Sequence, residues 1–103
     1  MTKPWSPAEV AAQVLKGHLG VYQLADADEK VILIAFAGGK SLYGLKGEVT
    51  AALEAHPEAK YFRHEITTAY QSRWRELMMV HIADHGEPPP CNPPVKLGKL
   101  SPA

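Results

Sequence analysis

Three groups of residues in this chain have types and spacing that could do chemistry. His81 and His85 lie four apart, a separation that puts two imidazoles on one face of a helix, and Cys91 follows within reach. Imidazole and thiolate are the donors zinc prefers. The second ligand pair and the His-x-Glu context of a strong zinc motif are missing, so ordinary solvent-facing helix histidines stand as the plainer reading. Residues 37–41, "AGGKS", place glycines before a helix start. They lack the spacing of a phosphate-cradling P-loop but could present backbone amides to an anion. Trp74, Met78 and Met79 read as core or interface.

Composition narrows what such groups can serve. The chain has 103 residues, 46% of them hydrophobic and 21% charged, which fits one small globular domain. Eleven basic and eleven acidic residues give a formal net charge of zero. That weighs against strong, sequence-independent binding to nucleic acid, which needs many phosphate contacts, while leaving room for a local basic patch. The longest apolar run, Val31–Ala37, is far too short to span a bilayer, so no membrane association is expected. The N-terminus has no apolar core of a signal peptide, and a single cysteine makes no internal disulfide. A reducing cytoplasm is the expected location.

The elements that must position these residues follow from pattern. "SPAE" at residues 6–9 is a capping box with proline at the first helical position, predicting a helix from about Pro7 to Lys16 closed by Gly17. Gly20–Ala25 is a strand, residues 26–30 a polar connection, and Val31–Ala37 a strand covered on both faces. Ser41 is the expected cap of a second helix to about Ala55, with Leu42, Leu45, Val49 and Leu53 at helical spacing. Gly44 and Gly47 lie within it, so they serve close packing or the helix begins later. Residues 61–67 form a third strand with Phe62, His64 and Ile66 on one face. "TAYQ" at residues 68–71 is a second capping box opening the longest helix, which Gly86 closes near His85. Six prolines fall in the last sixteen residues and exclude helix or central strand there. The expected architecture is a small α/β domain, residues 1–86, with a three-stranded antiparallel or mixed sheet flanked by helices. A proline-rich tail, residues 87–103, follows; its removal after Gly86 should leave stability nearly unchanged while weakening a partner's binding.

Element order and a few spaced residues resemble the GIY-YIG nuclease domain from Gly20 to about Asn92. "GVY" at Gly20–Tyr22 stands where that family has Gly-Ile-Tyr, and "LIA" at Leu33–Ala35 where it has Tyr-Ile-Gly. By this resemblance Tyr22 corresponds to the tyrosine that helps deprotonate water. Lys46 is the best-placed residue for the catalytic arginine, Glu76 for the carboxylate holding Mg or Mn, and Asn92 for the closing asparagine. The second tyrosine and its glycine are replaced, and lysine lacks arginine's planar fork for phosphate oxygens. Taken as structure alone, Tyr22 is a packing residue, Lys46 an exposed helix residue and Glu76 a solvated carboxylate paired with Arg73 or a nearby lysine.

The resemblance implies a GIY-YIG-like module that is non-catalytic or weakly catalytic and acts as a binding or assembly component. A protein partner would dock on the proline-rich tail as an extended segment. The alternative is a divergent divalent-metal-dependent nuclease using Tyr22, Lys46 and Glu76.

Overall fold

The structure is a computed structural model that describes residues 1, 3–39, 41 and 43–92. Its strands are β1 (Ser6–Pro7), β2 (Gly20–Ala25), β3 (Val31–Ala37) and β4 (Tyr61–Ile66), and its helices α1 (Ala11–Val14), α2 (Gly44–Ala55) and α3 (Tyr70–His85). All strand pairs are antiparallel, in the order β1-β4-β2-β3. The sheet thus has four strands, the additional one being a two-residue edge.

Alternation along the strands sorts side chains to two faces. Tyr22, Leu24, Leu33, Ala37 and Phe62 pack with Ala11 and Leu15 at α1 and with Leu45 and Val49 of α2. Val21 and Ile34 pack with Leu77 and Met78 of α3. Helices therefore cover both faces, which is why β3 carries no polar side chain. The hairpin turn between β2 and β3 is held by Asp26, whose Oδ1 accepts the amides of Asp28 and Lys30 at 2.9 and 3.0 Å.

The N-terminus differs from its local signal. Ser6 and Pro7 pair with Phe62 and Tyr61, and the Ala8 amide donates to the Lys60 carbonyl at 2.9 Å. Proline is tolerated on a sheet edge, and pairing with β4 overrides the capping box. Helix is left only to a 3₁₀ turn, Ala8–Val10, and to Ala11–Val14, so Gly17 is not its cap. Arg63 fixes the residues before β1. Its Nε donates to buried Gln23 at 2.6 Å, its Nη1 donates to the Lys3 carbonyl at 3.0 Å, and its guanidinium lies 4.0 Å over the Trp5 ring.

The other two helix starts are also set by neighbours. In α3 the box at residues 68–71 does not form; Thr67 Oγ1 instead accepts the Ala69 amide at 3.0 Å, and the helix begins at Tyr70. Its far end is as the sequence predicts, with the Gly86 amide donating to the Ile82 carbonyl at 2.7 Å. Helix α2 begins at Gly44, later than Ser41, because its first free amides are taken by another chain segment. Leu45 donates to the His18 carbonyl at 2.8 Å and Lys46 to that of Lys16 at 3.0 Å. These backbone carbonyls do the work of a side-chain cap. In the "AGGKS" stretch, weighed from sequence as a place that could present amides to an anion, Gly38 donates to Ser41 Oγ at 3.0 Å, Gly39 to the Tyr70 hydroxyl at 3.1 Å and Ser41 to the Gly38 carbonyl at 2.9 Å, so these amides are already engaged. Leu42 lies outside the described residues.

The tail begins as part of the fold. Pro89 is fully buried, and Cys91 packs against the cluster of the α2 face. The Cys91 amide donates to the Ile32 carbonyl at 2.8 Å. Asn92 Oδ1 accepts the Ile34 amide at 2.9 Å while its Nδ2 donates to the Ile34 carbonyl at 2.8 Å. A boundary at residue 86 therefore cuts through packed structure. The hydrophobic anchors Val95, Leu97 and Leu100 lie outside the described residues.

Stability outcomes follow for Gly44, for Asn92 and for the segment after Gly86. Gly44 has φ +61°, and a Cβ there would collide with the backbone of Gly17. Gly44→Ala should cost about 2 kcal/mol or more, read as a lowered denaturation midpoint. Asn92→Ala strands the Ile34 amide and should cost ~1–3 kcal/mol. Asn92→Asp should be no better, since it sets a carboxylate oxygen against the Ile34 carbonyl. Truncation after Gly86 should lower the thermal midpoint; an unchanged midpoint would show that the segment contributes nothing to folding.

Candidate functional site

Tyr22 lies at the middle of β2, paired with Ala35 of β3 and His64 of β4. It is 3% exposed, among the side chains of the α2 face. Burial, reinforced by the carboxylate of Glu48, pushes its phenol well above the usual tyrosine range. A water-activating base needs the opposite shift. Gly20, which opens the "GVY" segment, is required by packing: the backbone of Glu65 and Ile66 crosses where its Cβ would stand.

Lys46 is exposed on the first turn of α2. Glu76 lies on α3, which covers the opposite face of the sheet, with its side chain 66% exposed and 4.0 Å from Arg73. The better partner of Arg73 is Glu65. Its Nε and Nη2 donate to the two carboxylate oxygens at 2.8 and 3.2 Å, joining α3 to β4. That pair holds the Glu65 carboxyl below the usual range. Tyr22 and Glu76 are thus separated by the sheet, and the three residues form no common groove. Leu33 and Ala35 pack on the α2 face beside Tyr22.

The polar group that does lie near Tyr22 was not evident from local pattern. Ser41 Oγ donates to Glu48 Oε2 at 2.8 Å and accepts the Gly38 amide at 3.0 Å. The Gly39 amide donates to the Tyr70 hydroxyl at 3.1 Å. Together these hold the turn from β3 toward α2, so Glu48 and Ser41 have structural work to do. Their separation along the chain matches no short motif, so the sequence named Ser41 as a helix cap and did not pair it with Glu48.

One cleft of ≈ 470 Å³ opens between the β2–β3 turn, the end of α3 and the start of the tail. Asp26, Glu29, Lys30, His81, His85 and Glu87 are its polar lining. The His81 and His85 rings lie 4.3 Å apart. Burial lowers the pKa of His81, and His85 adds to that effect against Asp84 and Glu87. Cys91 does not join them. The tail crosses the β3 edge and delivers Cys91 to the α2 side, so the fold does not bring together the three residues whose spacing was weighed for zinc, and the plainer reading of His81 and His85 stands.

With this geometry in place, comparison with known families gives one match. Residues 1–84 correspond to the family described as "Domain of unknown function (DUF7508)". The chain belongs to that family. No curated protein and no solved structure shows significant similarity to it. The match of this DUF7508 domain ends before the segment that covers β3, and it assigns no activity to Tyr22, Lys46 or Glu76. No helix among the described residues is long and apolar enough to cross a membrane.

The buried phenol makes a measurable prediction for the DUF7508 domain. An unfolded chain ionises tyrosine near pH ~10, whereas the fold keeps Tyr22 neutral. Its contribution to stability is therefore complete below that pH and lost as pH rises further. In an alkaline titration, Tyr22 tyrosinate absorbance should appear only together with loss of near-ultraviolet circular dichroism. Tyr22→Phe should remove that late step and flatten the alkaline decline in stability. A Tyr22 that titrates within the folded state would show its hydroxyl to be open to solvent.

Proposed function

We propose that this domain is a GIY-YIG-like binding or assembly module that does not hydrolyse phosphodiesters through Tyr22, Lys46 and Glu76. The observation that carries this reading is the separation of Tyr22, buried on the α2 face, from Glu76, exposed on α3 across the sheet. Phosphodiester hydrolysis needs an activated water, a metal and a donor for developing charge to meet at one phosphate. A buried neutral phenol on one face and a solvated carboxylate on the other do not meet that requirement. Zero formal net charge points the same way, because unaided nucleic-acid binding relies on excess Lys and Arg.

The partner this reading favours is a protein. Prolines at 93, 94 and 102 and the apolar residues Val95, Leu97 and Leu100 suit recognition of an extended segment. The tail's contribution to binding is best tested by truncation after Asn92, which keeps the residues that close the β3 edge.

Activity is tested by incubating the purified protein with single- and double-stranded DNA and RNA in Mg²⁺ or Mn²⁺. No cleavage above buffer is expected. Cleavage that disappears in both Glu76→Ala and Tyr22→Phe would overturn the proposal in favour of a divergent metal-dependent nuclease.

A further inference from the structure

His56, Glu58 and Cys91 come together where the α2–β4 loop meets the segment covering β3. One donor atom from each lies within 4.8 Å of the other two. The Cys91 thiol already donates to Glu58 Oε2, at 3.7 Å. A tetrahedral zinc ion with bonds of ~2.0–2.3 Å needs ligand–ligand separations of roughly 3.3–3.8 Å. The Cys91–Glu58 edge is at that value, and side-chain rotation of half-buried His56 and exposed Glu58 can close the rest.

The backbones under these ligands are fixed. His56 follows α2 directly, its amide donating to the Ala52 carbonyl at 2.9 Å, and its own carbonyl accepts the Ala59 amide at 3.0 Å. Lys60 then donates to Ala25 at 2.8 Å, and Cys91 is held to Ile32. Three donors on pinned chain segments lose less freedom on binding than three on free loops.

We propose that His56, Glu58 and Cys91 form a mononuclear zinc site that latches the segment covering β3 to the α2–β4 loop. A mixed nitrogen, oxygen and sulfur donor set favours zinc over magnesium or manganese, which take oxygen ligands. Cys91 packs against the apolar cluster on one side, while Glu58 faces solvent. The fourth coordination position therefore opens to water. The neutral imidazole, carboxylate and thiolate together cancel the charge of the ion. Before binding, burial and the Glu58 carboxylate hold the Cys91 thiol above its ordinary pKa. Binding breaks the S–H bond, forms the S–Zn bond and releases that proton to solvent, so apparent affinity rises with pH.

Titration of the full chain with Co²⁺ under a non-chelating reductant tests the site directly. Expected are a saturable sulfur-to-cobalt charge-transfer band, displacement by one equivalent of Zn²⁺, and a higher thermal midpoint with Zn²⁺. Cys91→Ser, nearly isosteric, should abolish the charge-transfer band while keeping the far-ultraviolet circular dichroism of the parent. His56→Ala and Glu58→Gln should each weaken binding roughly tenfold or more, and His81→Ala with His85→Ala should leave it unchanged. Absence of the band in the parent, its persistence in Cys91→Ser, or an affinity that follows His81 and His85 instead of His56 would overturn the proposal.

Discussion

The outward backbone groups of β3 are the constraint on which the rest of this fold depends. The strand is the most apolar stretch of the chain, yet it lies at the edge of the sheet with helices over both faces. Its free amides and carbonyls cannot be left in apolar surroundings without partners. The Ile34 carbonyl accepts from both Trp74 Nε1 and Asn92 Nδ2, each at 2.8 Å. The Ile34 amide goes to Asn92 and the Ile32 carbonyl to Cys91. One residue of β3 thereby fastens α3 from one direction and the tail from another. Among the described residues, no fully buried side-chain polar atom lacks a partner.

The same economy shapes the region that resembles a catalytic one. With Leu33 and Ala35 beside it, Tyr22 becomes part of the cluster under α2, and its hydroxyl experiences burial and the field of Glu48. Glu76 remains on the solvent side of α3, where Arg73 is drawn mainly to Glu65. Neighbouring residues could not reverse this easily, because strand alternation puts Tyr22 and the α3-facing Val21 on opposite faces of one strand.

Much of the fold was legible in the sequence where a single physical effect dominates. The bounds of β2 and β3 agree with the hydrophobic runs, α2 ends at the expected Ala55, and α3 ends where Gly86 closes it. Helix beginnings were less legible, because the capping signals at Ser6 and Ser41 yielded to tertiary contacts and the one at Thr68 to the neighbouring Thr67 hydroxyl. Ser6 is drawn into pairing with β4, Ser41 binds Glu48, and the α2 amides are met by carbonyls of residues 16 and 18. The candidate sites were legible only in part for a related reason. Tyr22 and Glu76 could be named from position, but the face each occupies depends on which side of the sheet its helix packs. Cys91 meets His56 and Glu58 because a proline-rich segment turns over an edge, and no spacing along the chain encodes that crossing.

The covering of β3 by residues 88–92 also governs what this sheet can join. An exposed edge of seven apolar residues is a template onto which another chain can add a strand, the first step toward edge-to-edge association. The prolines around Cys91 cannot donate to such a ladder, and Asn92 fills the bonding positions of Ile34 with a side chain that ends there. At the opposite edge, β1 is only two residues long and contains Pro7. The β3 edge is thereby blocked at Ile32 and Ile34, while on the other side β1 covers β4 at Tyr61 and Phe62.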